Sequence, residues 1–113
     1  MEVKAQLSNL RVSPRKVAPL AKAVRGKPIN EALTLLRFSP RKRIAQALRT
    51  LLRSAVANAD QKGAGTVDVD NLYVKTLLVG AGPTMKRFQT RAKGSAFSIN
   101  KRTSHVRVTL SER

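Results

Sequence analysis

The sequence has 113 residues, with 23 Lys and Arg against 6 Asp and Glu, for a formal charge of +17. That length holds one small domain with a thin core, and an apolar content of 42% supports a packed fold over wholesale disorder. With no cysteine, a disulfide framework, a thiol nucleophile and a Cys-based zinc site are excluded. From Val3 to Val12 the chain alternates loosely, with Val3, Ala5 and Leu7 apolar and Lys4, Gln6 and Ser8 polar, the period of a half-buried strand. Ser13-Pro14 then reads as a helix start, because the serine oxygen can accept a free backbone N–H and Pro14 has none to lose. Val17, Leu20, Ala21 and Val24 follow at helical spacing, and Gly26 is a natural stop. Pro19 removes a hydrogen bond to the carbonyl of Arg15, so a kink is expected there.

Asn30 is the expected cap of a second, short helix carrying Ala32, Leu33 and Leu36. Ser39-Pro40 repeats the start signal for a longer helix from Pro40 to about Asp60. Ile44, Ala47, Leu48, Leu51, Leu52, Ala55 and Ala59 line one face of it, while Arg41, Arg49 and Arg53 point elsewhere. Gly63 and Gly65 end this helix, and Leu72 to Val79 and Ser104 to Leu110 read as strands.

The interval Gly80 to Arg102 has no core-like periodicity and no acid. A long hairpin turning at Lys93-Gly94 accounts for it, with arms of about 10 residues that project roughly 30 Å. Such a ribbon is marginal alone in water. The expected fold is α+β: three helices packed on a small three-stranded antiparallel sheet, with a long projecting β-hairpin over 83–103, all within a single domain spanning 1–113.

Self-repulsion at +17 calls for a polyanionic partner. The start Met1-Glu2-Val3-Lys4-Ala5-Gln6 lacks a signal peptide's apolar stretch and no apolar run is long enough to span a bilayer, so a cytosolic or organellar setting without a membrane partner is expected. Three basic clusters stand out: Arg11 with Arg15 and Lys16, beside Ser13; Arg41-Lys42-Arg43; and Lys86, Arg87, Arg91, Lys93, Lys101 and Arg102 of the hairpin. In the first two, cations occupy opening helical turns, where each costs about 0.3–1 kcal/mol against the helix macrodipole. A bound phosphate reverses that sign, because helix N-terminal N–H groups and cations then converge on one anion. The alternative is a solvated basic face.

Four aromatics are too few for a base-stacking sheet. Phe38 and Tyr73 are assigned to the core; Phe88 and Phe97 either insert between bases or pack across the hairpin. Phosphate and shape recognition of folded RNA fits best. The repeated Ser-Pro-Arg-Lys at Ser13 and Ser39 keeps a histone-like architectural DNA-binding protein as the alternative. No catalytic site is expected: His105, the single histidine, reads as a strand residue, and Asp68 and Asp70 as loop solubilisers. Neither a metal, a cofactor nor a small-molecule substrate is indicated.

Ser13-Pro14-Arg15-Lys16-Val17, Arg25-Gly26-Lys27 and Ser54-Ala55-Val56-Ala57-Asn58-Ala59 resemble the helical half of the bacterial-type uL22 family of ribosomal proteins. Gly82-Pro83-Thr84-Met85-Lys86-Arg87, Arg91-Ala92-Lys93-Gly94 and Lys101-Arg102-Thr103-Ser104-His105 are similar to its second half, and the blocks keep the family's order across nearly the whole chain. The resemblance implies a structural constituent of the large ribosomal subunit that binds 23S-type rRNA, bridges rRNA domains during assembly and neighbours other large-subunit proteins. It further implies that Met85 to Arg102 extends into the peptide exit tunnel with Lys93-Gly94-Ser95 as its tip. Met85, Lys86, Arg87, Arg91, Lys93, Gly94 and Ser95 would then line the path of the nascent peptide. Pro19 and the weakly charged stretch Ser95, Phe97, Ser98 and Asn100 depart from the family pattern.

Overall fold

A computed structural model describes residues 2–62, 69–90, 94 and 96–112. The alternating N-terminal segment forms β1 (Glu2–Leu10), with Val3 buried and Ala5 and Leu7 packed against the core. Three helices follow: α1 (Pro14–Val24), α2 (Ile29–Arg37) and α3 (Lys42–Lys62). A short 3-10 turn at Val69–Asn71 leads into β2 (Leu72–Ala81), then β3 (Met85–Thr90), β4 (Ala96–Lys101) and β5 (Ser104–Glu112). β5 lies between β1 and β2 in a three-stranded antiparallel sheet, and β3 pairs with β4 as a separate two-stranded ribbon. The fold is therefore α+β, as expected.

The helices cover one face of the sheet, where Val17, Leu48, Leu52, Leu77, Val106 and Leu110 are essentially inaccessible. Their boundaries differ from expectation in ways that local bonding explains. Ser13 sits at the N-cap of α1 in an extended conformation, but its side chain makes no capping bond; its carbonyl accepts from the Lys16 N–H at 3.1 Å. α1 continues through Pro19, which is exposed, so the carbonyl freed on Arg15 faces the solvent side. Asn30 does not cap α2. Pro28 precedes the first turn, its carbonyl accepting from Ala32 at 2.9 Å, while Asn30 lies within the helix and donates its Nδ2 to Asp70 Oδ1 at 2.9 Å.

α3 begins at Lys42, not Pro40, because the Ser39 hydroxyl takes the Arg41 N–H at 3.3 Å and the helical ladder opens with Ala45 N–H to Arg41 O at 2.9 Å. Ala45 joins its buried face, and Ala47 is only half-buried. Gly63, Gly65 and Asp68 lie outside the described residues. Phe38 is no core residue: it ends α2 with 75% of its surface exposed. Tyr73 is half-buried.

Each edge of the sheet takes hydrogen bonds from outside it, the β2 edge from backbone and the β1 edge from side chains. Gly26, in the left-handed region at φ +80, turns the chain after α1 so that its N–H reaches Val74 O at 2.8 Å and Lys27 O accepts from Val74 at 3.0 Å. On the other edge, Lys62 Nζ donates to Glu2 O at 3.0 Å. Two bulges set the strand phases. Val74 pairs with Leu110 and Thr76 with Thr109, so Lys75 is an extra residue; inward positions shift from Leu72 and Val74 to Leu77 and Val79, and Leu78 is left 61% exposed. In β1 the pairing slips between Leu7 and Leu10, where Asn9 adopts φ 59.

The β2–β5 ladder runs on into the ribbon. Ala81 pairs with Ser104 and Met85 with Lys101, so three residues link the rising strands and two the returning ones. The described residues of β3 and β4 pack mainly on each other, and the molecule spans 65 × 25 × 16 Å. A ribbon without a packed face is weakly protected. Amide exchange in the free protein is expected to be fast throughout Met85–Thr90 and Ala96–Lys101 and slow in β5; protection of the ribbon equal to that of β5 would contradict this.

Lys75 Nζ donates to Glu2 Oε1 across the strands. This hydrogen bond, aided by charge attraction, holds the Glu2 carboxyl below its ordinary 4.5 and the Lys75 ammonium above its ordinary 10.5. The Glu2 contribution to stability is complete above the ordinary carboxyl value and is lost as pH falls through the lowered one; the Lys75 contribution is lost only as pH rises through the raised ammonium value. Both groups are exposed, so the effect is small. Glu2→Gln is expected to lower Tm slightly at neutral pH, with the difference from wild type closing on acidification below the carboxyl range.

Candidate nucleic-acid interface

The first turns of α1 and α3 contain no acid, whereas α2 carries Glu31 in its first turn, paired with Lys27 at 3.5 Å. Arg11, Arg15, Lys16, Arg41, Lys42 and Arg43 are all exposed. The ion pairs among the described residues, Lys27–Glu31 and Glu2–Lys75, use none of them. These cations therefore have no carboxylate partner within the described chain, and two helix starts present positive charge and open N–H groups together.

The sheet brings the first of these starts to the root of the ribbon. Leu10 pairs with Ser104, and the Ser104 hydroxyl donates to Val12 O, so the turn before α1 is fastened to the first residue of β5. Two adjoining grooves result. One, of about 540 Å³, is lined by Ser13, Arg15, Gly82, Lys86, Asn100 and Arg102. The other, of about 230 Å³, is lined by Arg11, Ser13, Lys16, Met85, Lys101 and Arg102. Two clusters far apart in sequence thus form one basic surface.

Arg41-Lys42-Arg43 stands apart at the start of α3. Lys42 and Ser39 line a groove of about 240 Å³ with Arg37, Gln46 and Arg49. Arg37 and Arg49 were missed in the sequence, although Arg49 follows Lys42 by two helical turns and so shares its face. The Nε of Arg49 is buried without a hydrogen-bond partner.

On the ribbon, Met85 pairs with Lys101, Lys86 with Asn100 and Arg87 with Ile99, which puts Met85, Arg87 and Lys101 on one face and Lys86 on the other. Arg87 is steadied by bonds to Lys86 O at 3.0 Å and Met85 Sδ at 3.9 Å. Phe88 is 79% exposed and stands opposite Ser98, not opposite Phe97. Gly94 has φ +70, the conformation a tight turn asks of glycine; Arg91, Lys93 and Ser95 lie outside the described residues.

The root is tightly packed. Gly82 N–H donates to Thr103 O at 2.9 Å, and Thr103 Oγ1 donates to Pro83 O at 2.7 Å. His105 has a structural part here: its Nδ1 accepts the N–H of Asn9, the residue of the β1 bulge, at 3.1 Å. Among the described residues no three His, Cys, Asp or Glu side chains gather as metal ligands. What these surfaces can do is bind phosphate groups at several separated points.

The profile of the family described as "Ribosomal protein L22p/L17e" matches residues 5–111. The chain is 54% identical over 113 residues to "Large ribosomal subunit protein uL22" of Geobacter metallireducens, covering all of both chains. It is 51% identical over 112 residues to the protein of that name from Myxococcus xanthus, covering 99% of this chain and 97% of the relative. To the one from an Anaeromyxobacter species it is 58% identical over 106 residues, covering 94% of this chain and 72% of the relative.

A Cβ at position 82 would lie 2.5 Å from Thr103 Oγ1 and 3.2 Å from the His105 ring. Gly82→Ala is expected to destabilise the protein by about 1–3 kcal/mol in urea unfolding. Combined with Thr103→Ala it should show a coupling of about 0.5 kcal/mol or more; additive losses would mean that the two groups do not meet.

Proposed function

The chain belongs to the uL22 family of large-subunit ribosomal proteins, and from that premise we propose that the surface joining the start of α1 to the root of the ribbon docks on 23S-type rRNA. The protein is a structural constituent of the ribosome and not an enzyme. In this reading Arg11, Ser13, Arg15, Lys16, Lys86, Lys101 and Arg102 form the principal footprint, and Arg41, Lys42 and Arg43 form a second. Two footprints on one small body touch separate RNA segments, which is how the protein bridges rRNA domains during assembly.

The ribbon, with Met85, Lys86, Arg87, Arg91, Lys93, Gly94 and Ser95, lines the peptide exit tunnel, and its tip meets the nascent peptide. Neighbouring large-subunit proteins complete the surroundings. The observation that carries the reading is the ribbon itself: an acid-free pair of strands whose described residues pair mainly with each other, with basic grooves at its root. A segment so built gains order from an anionic wall around it, not from its own chain.

The protein is expected to co-sediment with large subunits through a high-salt wash. Replacing Arg15, Lys16, Arg41 and Lys42 by Gln should flatten the dependence of log affinity on log salt for rRNA fragments, by up to about four units if all four reach phosphates. An unchanged slope would make them a solvated face, and a preference for duplex DNA over rRNA fragments would overturn the assignment.

A further inference from the structure

Phe38 is the C-cap of α2, held by its N–H to Thr34 O at 3.3 Å, yet its ring is 75% exposed in a chain with only 3 Phe, 1 Tyr and no Trp. The guanidinium carbon of Arg37 lies 5.7 Å from the ring centroid, within cation–π range. Four residues later α3 opens with Lys42 and no acid in its first turn. Beside them lies the groove lined by Arg37, Ser39, Lys42 and Arg49, where Arg49 Nε has no partner. An exposed ring with a guanidinium in cation–π range, bordering a cationic groove, has the two parts that single-stranded nucleic acid requires: a π-platform and a phosphate seat.

We propose that the α2–α3 corner takes one unpaired nucleotide of RNA, its base stacked on Phe38 and an adjacent phosphate in the groove at Ser39, Lys42 and Arg49. This rests on the RNA-binding reading above and adds which element of the RNA is taken. The rim of Arg37, Arg41, Lys42 and Arg43 favours a polyanion over an apolar protein surface. A lone ring serves one base, in keeping with the shortage of aromatics elsewhere.

Because the chain has no tryptophan, full-length Phe38→Trp carries a single indole at the corner. It is titrated with an RNA stem bearing one bulged adenine and with the same stem fully paired. Saturation with the bulged stem should quench indole emission, and binding of the paired stem should not. Phe38→Ala should reduce the preference for the bulged stem by roughly 5- to 100-fold and leave the salt slope unchanged, since stacking releases no counterions. Equal quenching by both stems, no quenching at saturation, or an unaltered preference in Phe38→Ala would overturn the stack while RNA binding stands. Failure of the wild-type chain to bind either RNA would overturn the RNA reading and this proposal together. In large subunits, a photoactivatable phenylalanine at position 38 should label rRNA; labelling of a neighbouring protein alone would overturn the proposal.

Discussion

The fold depends on one antiparallel ladder. β5 accepts β2 on one side and β1 on the other, and the β2–β5 pairing passes through the Gly82–Thr103 bond into the ribbon. A two-stranded ribbon alone has neither a fixed register nor much stability, but one that continues a buried ladder inherits both at its root. Extra residues fall on the rising arm, at Lys75 and again between Ala81 and Met85, and each adds local twist. The β1–β5 pairing then carries the start of α1 to that same root. A single set of backbone bonds thus fixes both the direction of the ribbon and the location of the basic surface at its base.

The charge distribution follows a different logic from stability. Three of the described acids are used away from the proposed footprints: Glu2 meets Lys75, Glu31 meets Lys27, and Asp70 accepts from Asn30. The first turns of α1 and α3, where an acid would help the helix, hold cations instead. The free protein therefore carries unfavourable helix-end electrostatics that an arriving phosphate converts to favourable ones. Ser13 sharpens this, because its side chain makes no capping bond to the start of α1. Sequence reasoning treated the +17 charge as a demand for a polyanion; the structure gathers part of that excess at two helix starts and a ribbon root.

Periodicity carried most of the fold, because burial on one face imposes a period of two on strands and 3.6 on helices. The three helices and the three strands of the sheet were legible in this way, whereas the ribbon was read from the opposite signal, an acid-free interval with no core period and Lys93-Gly94 near its middle. What periodicity could not carry was phase after an irregularity. Leu78 belongs to an apolar strand, yet the Lys75 bulge turns it outward, and nothing in the run Leu77-Leu78-Val79 marks which residue faces the core. Cap residues misled for a related reason: Asn30 and Ser13 have the right chemistry, but Asp70 and a backbone carbonyl offered competing bonds. The union of Arg11, Arg15 and Lys16 with Lys86, Lys101 and Arg102 was illegible, since it rests on β1–β5 pairing across about ninety residues of sequence. Phe38 was assigned inward on hydrophobicity alone; its place one residue beyond the last turn of α2 carries it off the buried face set by Ile29, Ala32 and Leu36.

Among the described side chains two aromatic rings remain in water, Phe38 and Phe88, and their supports separate them. The backbone of Phe38 is anchored by the C-terminal bonds of α2, and Arg37 lies within cation–π range of its ring. Phe88 stands on a ribbon with no packing beneath it, opposite a serine, and its ring is ordered only as far as the ribbon is. Ordering entropy charged at binding lowers the net gain from any contact. In the proposed reading, the body offers helix ends held by the buried core, a setting suited to selecting a particular feature of an RNA. The ribbon is suited to conforming to whatever anionic surface encloses it. That difference follows from the elements that carry the two rings, a helix end on the core and a two-stranded ribbon, and in the proposed reading it divides recognition from accommodation.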